Sequence, residues 1–238
     1  MPDRRVHRGP HPEDARWFND AAGPLLCRAT ADLSWLLSRG YAPKSALKLV
    51  GDRYELVARQ RTAVGRCACS DVQADDRKRR RLSPEQLGGQ TLWLDGYNVL
   101  VSVEAALSGG LIIAGRDGAY RDMASMHGSY RKVSETRPAL ELIGQTLTEL
   151  ETGTCLWYLD RPVSNSGRLK KIIEQVAADA DWPWEVELVQ NPDAVLSQSE
   201  QIVATADSAV LDTCGRWLDL ARETINRHVP EPWIMELA

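Results

Sequence analysis

No stretch of this 238-residue chain approaches the roughly 18 consecutive apolar residues that a membrane-crossing helix needs, so a helical membrane protein is excluded. The N-terminal MPDRRVHRGPHPE is polar and basic and has no apolar h-region, so no secretory signal is expected. Cysteine is scarce: five residues, an odd number, scattered along the chain. That excludes a disulfide scaffold and suits reduced thiols in a cytoplasmic protein. Cys67-Ala68-Cys69 has no second pair to complete the four ligands of a structural zinc, and the four histidines form no metal-binding spacing. Neither G-x-G-x-x-G nor G-x-x-x-x-G-K-[ST] occurs, which argues against dinucleotide and P-loop nucleotide binding. No G-x-S-x-G elbow is present either. A composition of 43% hydrophobic and 26% charged residues, with 17 Gly and 12 Pro, excludes collagen-like, disordered and coiled-coil chains.

What is there is a charge asymmetry. The overall net charge of −4 combines two unlike parts. Residues 1–89 carry 17 Lys and Arg against 11 Asp and Glu, a net of +6; residues 90–238 carry 12 against 22, a net of −10. A basic part suits a polyanion. Residues 1–13 read as a basic tail. From Asp14 the pattern turns helical, with Leu25, Leu26, Ala29, Leu33, Leu36 and Leu37 at three- and four-residue spacing. Gly40 and Pro43 stop one helix and start the next, and a third follows from Asp52. We expect a basic helical module over 1–69 and a polar, basic linker over 70–90 that includes Arg77-Lys78-Arg79-Arg80-Arg81.

Beyond residue 90, four apolar runs read as strands: Thr91–Leu94, Cys155–Leu159, Val186–Val189 and Gln201–Thr205. Helical patterns lie around 98–107, 135–151, 167–180 and 209–227. Strands separated by helices predict an α/β domain over 91–238 with a mostly parallel sheet. Each strand runs into a carboxylate: Asp95, Asp160 and Asp207 follow three of them, and Asp193 lies just past the other. In a parallel sheet all C-terminal strand ends share one edge, outside which ligands bind. Converging carboxylates repel and take up protons or a cation. Mg²⁺ or Mn²⁺ is the expected cofactor, because hard cations choose oxygen ligands. The plainer reading is that these aspartates cap the helices that follow them.

Two stretches carry a family likeness. Asp95-Gly96-Tyr97-Asn98-Val99-Leu100 resembles the opening of PIN-like and NYN-type nuclease domains, and Val203–Leu211 resembles their fourth-strand motif. The likeness implies a three-layer α/β fold, with Asp95, Asp207 and Asp160 as catalytic metal ligands, Asp193 and Asp212 as further contributors, and Asn98 helping to hold the site. The whole chain also resembles the domain-of-unknown-function 434 proteins, through Arg39-Gly40-Tyr41, Ser45–Tyr54, Leu94–Leu100, Arg116-Asp117-Gly118 and His127–Arg131. That family brings no established activity.

Other residues are candidates for substrate contact. Arg116, Arg121 and Arg131 lie in a stretch rich in Gly, Arg and Asp, and arginine offers bidentate donors to phosphate. Ser164 and Arg168 flank a turn before a helix, where free N–H groups receive anions. Glu104 is expected to be a solvated helix residue. The function expected is divalent-metal-dependent hydrolysis of phosphodiester bonds, with RNA as partner and no membrane; a homo-oligomer is compatible with this composition. The alternative is a non-catalytic module on the same fold that binds RNA or protein. A haloacid-dehalogenase-type phosphotransferase is disfavoured, because Tyr97 stands where that chemistry wants an aspartate.

Overall fold

The computed structural model describes residues 6–124 and 129–238; His127, in the glycine- and arginine-rich stretch, lies outside the described residues. Five helices come first: α1 (Asp14–Trp17), α2 (Gly23–Ser38), α3 (Pro43–Arg53), α4 (Ala58–Cys67) and α5 (Asp71–Arg80). α2 buries Leu26, Ala29, Leu33 and Leu36 along one stripe, as its spacing predicts. Gly40, with φ of +79°, supplies the left-handed turn that follows it. Pro43 opens α3, where its fixed φ suits the first turn. Instead of starting at Asp52, the third helix of the expected trio begins at Ala58.

The segment expected to be a linker contains α5. Ser70 caps it: its Oγ accepts from Gln73 N at 3.2 Å, and Gln73 Oε1 accepts from Ser70 N at 3.0 Å. The basic run therefore sits on a helix, and Arg77 within it is only 2% exposed.

The rest is α/β: β1 (Leu92–Asp95), α6 (Gly96–Leu107), β2 (Ile112–Ala114), β3 (Tyr120–Asp122), α7 (Thr136–Glu149), β4 (Cys155–Asp160), α8 (Ser166–Asp179), β5 (Trp184–Val189), α9 (Pro192–Ser197), β6 (Ile202–Ala204), α10 (Ser208–Leu211), β7 (Trp217–Leu218), α11 (Leu220–His228) and β8 (Ile234–Glu236). Five strands form an all-parallel sheet in the order β5-β4-β1-β6-β7. Its two faces follow the period of two. Leu92, Leu94, Trp157, Leu159, Ile202 and Ala204 pack in one core with α6, α7, α8 and α11. Tyr158, Val203 and Trp217, with Trp93 and Leu156 beside them, pack in another with α9 and α10. The result is a three-layer α/β domain. The single helix expected over 209–227 is instead α10, the short fifth strand β7, and α11.

A second sheet, β3-β2-β8, lies between the two parts of the chain. Ile112, Tyr120 and Ile234 pack with the α/β core, whereas Leu111, Ile113, Met123, Met235 and Leu237 pack with the N-terminal helices. Alternate residues of one strand thus serve two cores.

Arg77 ties α5 to this body. Nη1 donates to Asp117 Oδ2 at 2.6 Å, and Nε and Nη2 donate to Asp212 Oδ1 at 2.9 and 2.6 Å. Trp217 Nε1 donates to the Arg77 carbonyl at 2.7 Å. Removing one member of a buried ion pair leaves its partner uncompensated. Arg77→Met is expected to lower stability by about 3–5 kcal/mol. Arg79→Met, on the exposed side of the same helix, should barely move the urea midpoint. Equal, small effects from both would show that the buried cluster does not hold α5.

Candidate functional site

The strand order fixes where a site can form. β1 has β4 on one side and β6 on the other, and successive connections run outward from it in opposite directions. The crevice beyond the carboxyl ends of β1 and β6 is therefore the topological switch point. A cavity of about 340 Å³ lies there, lined by Asp95, Asn98, Asp193 and Asp207 together with Arg66 and Arg121. That volume is near the lower end of the roughly 300–1,000 Å³ of small-ligand sites.

Asp95 ends β1, caps α6 and is only 8% exposed. Its Oδ2 accepts from Thr205 Oγ1 at 2.9 Å, and its Oδ1 accepts from Asn98 N at 3.4 Å. Thr205 Oγ1 also accepts from Asp207 N at 3.0 Å, and Asn98 Oδ1 accepts from Ala206 N at 2.8 Å. These bonds fasten the end of β6 to the end of β1, beyond the last ladder pair. Asp207 caps α10 through Oδ1, which accepts from Ala209 N at 2.8 Å and Val210 N at 3.2 Å; neither bond uses Oδ2. The capping expectation therefore holds at both positions, and it does not exhaust either carboxylate.

Burial pushes the Asp95 carboxyl up to about 7, with repulsion from Asp207 and Asp193 adding to it and the Thr205 hydrogen bond opposing it. Burial likewise raises Asp193, in the first turn of α9, and the fields of Asp207 and Asp160 add to the rise. Asp95, Asp193 and Asp207 thus feel one another across one cavity. Asp160 stands at the same edge, at the end of β4, but does not line the cavity; its field reaches Asp193 and Tyr97. Among the described residues, no three His, Cys, Asp or Glu side chains are gathered closely enough to hold a metal ion as they stand. The carboxylates line the cavity rather than meet at a point.

Of the arginines anticipated for substrate, Arg121 alone lines this cavity. Its Nε donates to Ala206 O at 2.8 Å, and its other nitrogens bond Asp117 at 3.0 and 2.6 Å. Arg116 pairs with Asp71 and donates to the Cys69 carbonyl. Arg131 lines a neighbouring cavity. Ser164 and Arg168 are exposed and line neither. Asp212 is engaged by Arg77 and Gln73. Glu104 is fully buried instead of solvated: it accepts from Arg8 Nε, Tyr130 Oη and Thr136 Oγ1 at 2.8, 2.5 and 2.6 Å.

Sequence reasoning missed Arg66 and Tyr97, which line the cavity, and Thr205, which braces Asp95 without lining it. Arg66 lines the cavity from α4, and its guanidinium donates to the Asp122 carbonyl. Thr205 stands two places before Asp207 in Val203-Ala204-Thr205-Ala206-Asp207, and that spacing was the available signal. Tyr97 also lines the cavity, and its buried hydroxyl has no hydrogen-bond partner among the described residues.

A buried acid whose carboxyl is raised makes the folded state hold its proton longer than the unfolded chain does. Its contribution is fully favourable below the unfolded value and is lost as pH rises through about 7. Asp95→Asn removes that loss. The variant is expected to be more stable than wild type at pH 8 by roughly 2–4 kcal/mol, at about 1.4 kcal/mol per pH unit. The difference should vanish or reverse near pH 4. Urea unfolding across this range checks it, and parallel pH profiles for the two proteins would contradict it.

Comparison with known proteins places the chain. A family model described as Domain of unknown function (DUF5616) matches residues 84–223, and one described as Protein of unknown function (DUF434) matches residues 25–80. Uncharacterized protein MJ0935 of Methanocaldococcus jannaschii is 33% identical over 184 residues, which cover 77% of this chain and 88% of the relative. No solved structure matches the chain at a significant level. The buried acidic crevice and the helices packed against it thus belong to a member of the DUF434 family whose larger part is a DUF5616 domain.

Proposed function

We propose that this protein is a divalent-metal-dependent nuclease, with a PIN-like α/β domain and RNA as the substrate to test first. The observation that carries the reading is the cavity at the switch point, where Asp95, Asp193 and Asp207 face Arg66 and Arg121. Carboxylates suit a hard cation and arginines suit a phosphate, so both halves of a metal–phosphodiester complex have protein partners here.

The donor set fits Mg²⁺ or Mn²⁺. It is all oxygen, and Asp207 Oδ2 is not used by either cap bond. The repulsion that raises Asp95 and Asp193 is relieved by positive charge. When bound, such a cation supplies charge for the phosphoryl transition state and an activated water. The chain supplies the rest. Asp95, Asp193 and Asp207 would hold the cation, with Asp160 reinforcing the field at Asp193. Thr205 and Asn98 fix the Asp95 carboxylate by hydrogen bonding and by bridging to the β6 end. Arg66 and Arg121 stabilise negative charge on the phosphate oxygens. The Tyr97 hydroxyl, on the same wall, has no hydrogen-bond partner among the described residues.

A second reading has its own support. The carboxylates are not gathered at coordinating distance, and two of them cap helices. On that reading the protein is a non-catalytic module that binds RNA or protein.

The metal must displace a proton from Asp95, so metal linkage is pH-dependent. Millimolar Mn²⁺ should raise the thermal midpoint at pH 8 more than at pH 6. Asp95→Asn should lose the Mn²⁺ effect, and wild type should cut an oligoribonucleotide only with Mn²⁺ or Mg²⁺. Asp207→Asn should bind the same RNA and leave it whole. A wild-type midpoint indifferent to Mn²⁺, with no cleavage of RNA or DNA, would leave the binding module as the account.

A further inference from the structure

The acidic cavity holds a positive charge that comes from the helical module. Asp95, Asp193 and Asp207 belong to the α/β domain, as does a fourth carboxylate in the lining, Asp122 at the end of β3. The Asp122 carboxylate is fixed in place: Oδ2 accepts from Ser102 Oγ at 2.9 Å, and Oδ1 accepts from Ala124 N at 2.7 Å. Two guanidiniums face these acids, and they differ. Arg121 bonds Asp117 through both Nη atoms, and Asp117 is shared with Arg77, which also pairs with Asp212, so that cluster is neutral as a whole. Arg66 donates to a backbone carbonyl, Asp122 O, and no carboxylate pairs with it among the described residues. The lining therefore sets one uncompensated guanidinium against four carboxylates.

Arg66 stands there because the end of α4 is fastened to the small sheet. The Cys67 carbonyl accepts from Arg116 N at 2.9 Å, and Cys67 Sγ donates to Ala114 O at 3.7 Å. Ala63, Val64 and Cys67 are buried among the N-terminal helices, so the last turn of α4 cannot rotate without unpacking them. A guanidinium has five N–H donors. Half-buried Arg66 uses one on Asp122 O, which leaves four for a ligand.

We propose that Arg66 makes this cavity selective for a divalent cation together with a phosphodiester, over the cation alone. The inference rests on the nuclease reading for the identity of the two ligands, and adds the residue that decides between them. Like charges that share a small space with low-dielectric walls repel. Arg66 thus opposes a cation that arrives by itself. The same charge attracts a phosphodiester, whose two non-bridging oxygens match the paired N–H groups of a guanidinium. With both ligands bound, the attraction offsets the repulsion. A repulsive element of this kind is a common means of discrimination. It also gives the two family-matched parts a chemical reason to share a chain: residues 25–80 supply the guanidinium, and residues 84–223 supply the carboxylates.

Two affinities of the full chain test this at pH 8. Mn²⁺ is titrated without nucleic acid and followed by the electron paramagnetic resonance of the free ion. A labelled oligoribonucleotide of about twelve nucleotides is titrated by fluorescence anisotropy, in EDTA and at low salt. Arg66→Gln is expected to move the two in opposite directions, with Mn²⁺ bound roughly fivefold tighter or more and the oligonucleotide roughly fivefold weaker or more. Arg66→Lys keeps the charge and loses the paired donors, so it should bind Mn²⁺ as wild type does and bind the oligonucleotide less well. It carries the comparison if Arg66→Gln melts below wild type. Lys44→Gln, which removes an exposed charge elsewhere on the helical module, should change neither affinity. Unchanged Mn²⁺ affinity in a folded Arg66→Gln, or an oligonucleotide loss in Arg66→Lys no larger than in Lys44→Gln, would overturn the proposal; the nuclease reading then stands if wild type cleaves with Mn²⁺. Opposed shifts in a protein that cleaves nothing would keep the selectivity and remove the nuclease. A wild type that binds no Mn²⁺ removes both.

Discussion

The ion cluster of Arg77, Asp117 and Arg121 is the constraint on which the rest of the molecule turns. All three side chains are nearly out of water. Burial alone would raise the Asp117 carboxyl, but the guanidiniums of Arg121 and Arg77 overturn that and hold it down at about 2. The cluster joins three things that the sequence keeps far apart. Arg77 brings α5, Asp117 brings the turn between β2 and β3, and Arg121 reaches Ala206 O at the end of β6. A buried ion network of this kind adds little net stability over an apolar substitute, but it allows few alternative arrangements. Here the arrangement it enforces puts a guanidinium into the wall of the acidic cavity.

That cavity carries an energetic cost. Asp95 is buried, close to two other carboxylates, and capped by only two hydrogen bonds. A domain seeking stability alone would keep such a group in solvent or replace it with asparagine, which caps a helix equally well. The β6 end is joined to Asp95 through Thr205 and Asn98, so hydrogen bonds from both strand ends fix the carboxylate in place. Raised carboxyls gathered at a switch point are characteristic of functional sites.

Much of this was legible from the residues. The strands β1, β4, β5 and β6 announce themselves as apolar runs that end in or near aspartate, and three of those four aspartates, Asp95, Asp193 and Asp207, line one cavity. Asp193 lines the cavity and Asp160 does not, because β4 lies on the far side of β1 from β6. The small sheet escaped notice because its strands are three residues each, too short to display a period of two. β7, with two residues, interrupts an apolar spacing that otherwise continues as a helix. α5 reads as a linker because DVQADDRKRR has one apolar residue beyond its alanine; it is held by ion pairs and a capping box, which leave no hydrophobic periodicity. Glu104 reads as solvated for a similar reason: its partners Arg8, Tyr130 and Thr136 come from distant segments.

Membership in the DUF434 family fixes kinship without fixing chemistry, and fold does not imply function. The chemistry rests on whether one cation can join carboxylates that stand around a cavity. Crystals soaked in Mn²⁺ at pH 8 and measured at the manganese absorption edge test this most directly. The account predicts an anomalous peak bound by Asp95 and Asp207, with Asp193 or its water completing the shell, and no peak in Asp95→Asn. A well-ordered cavity with no anomalous peak under those conditions would contradict it.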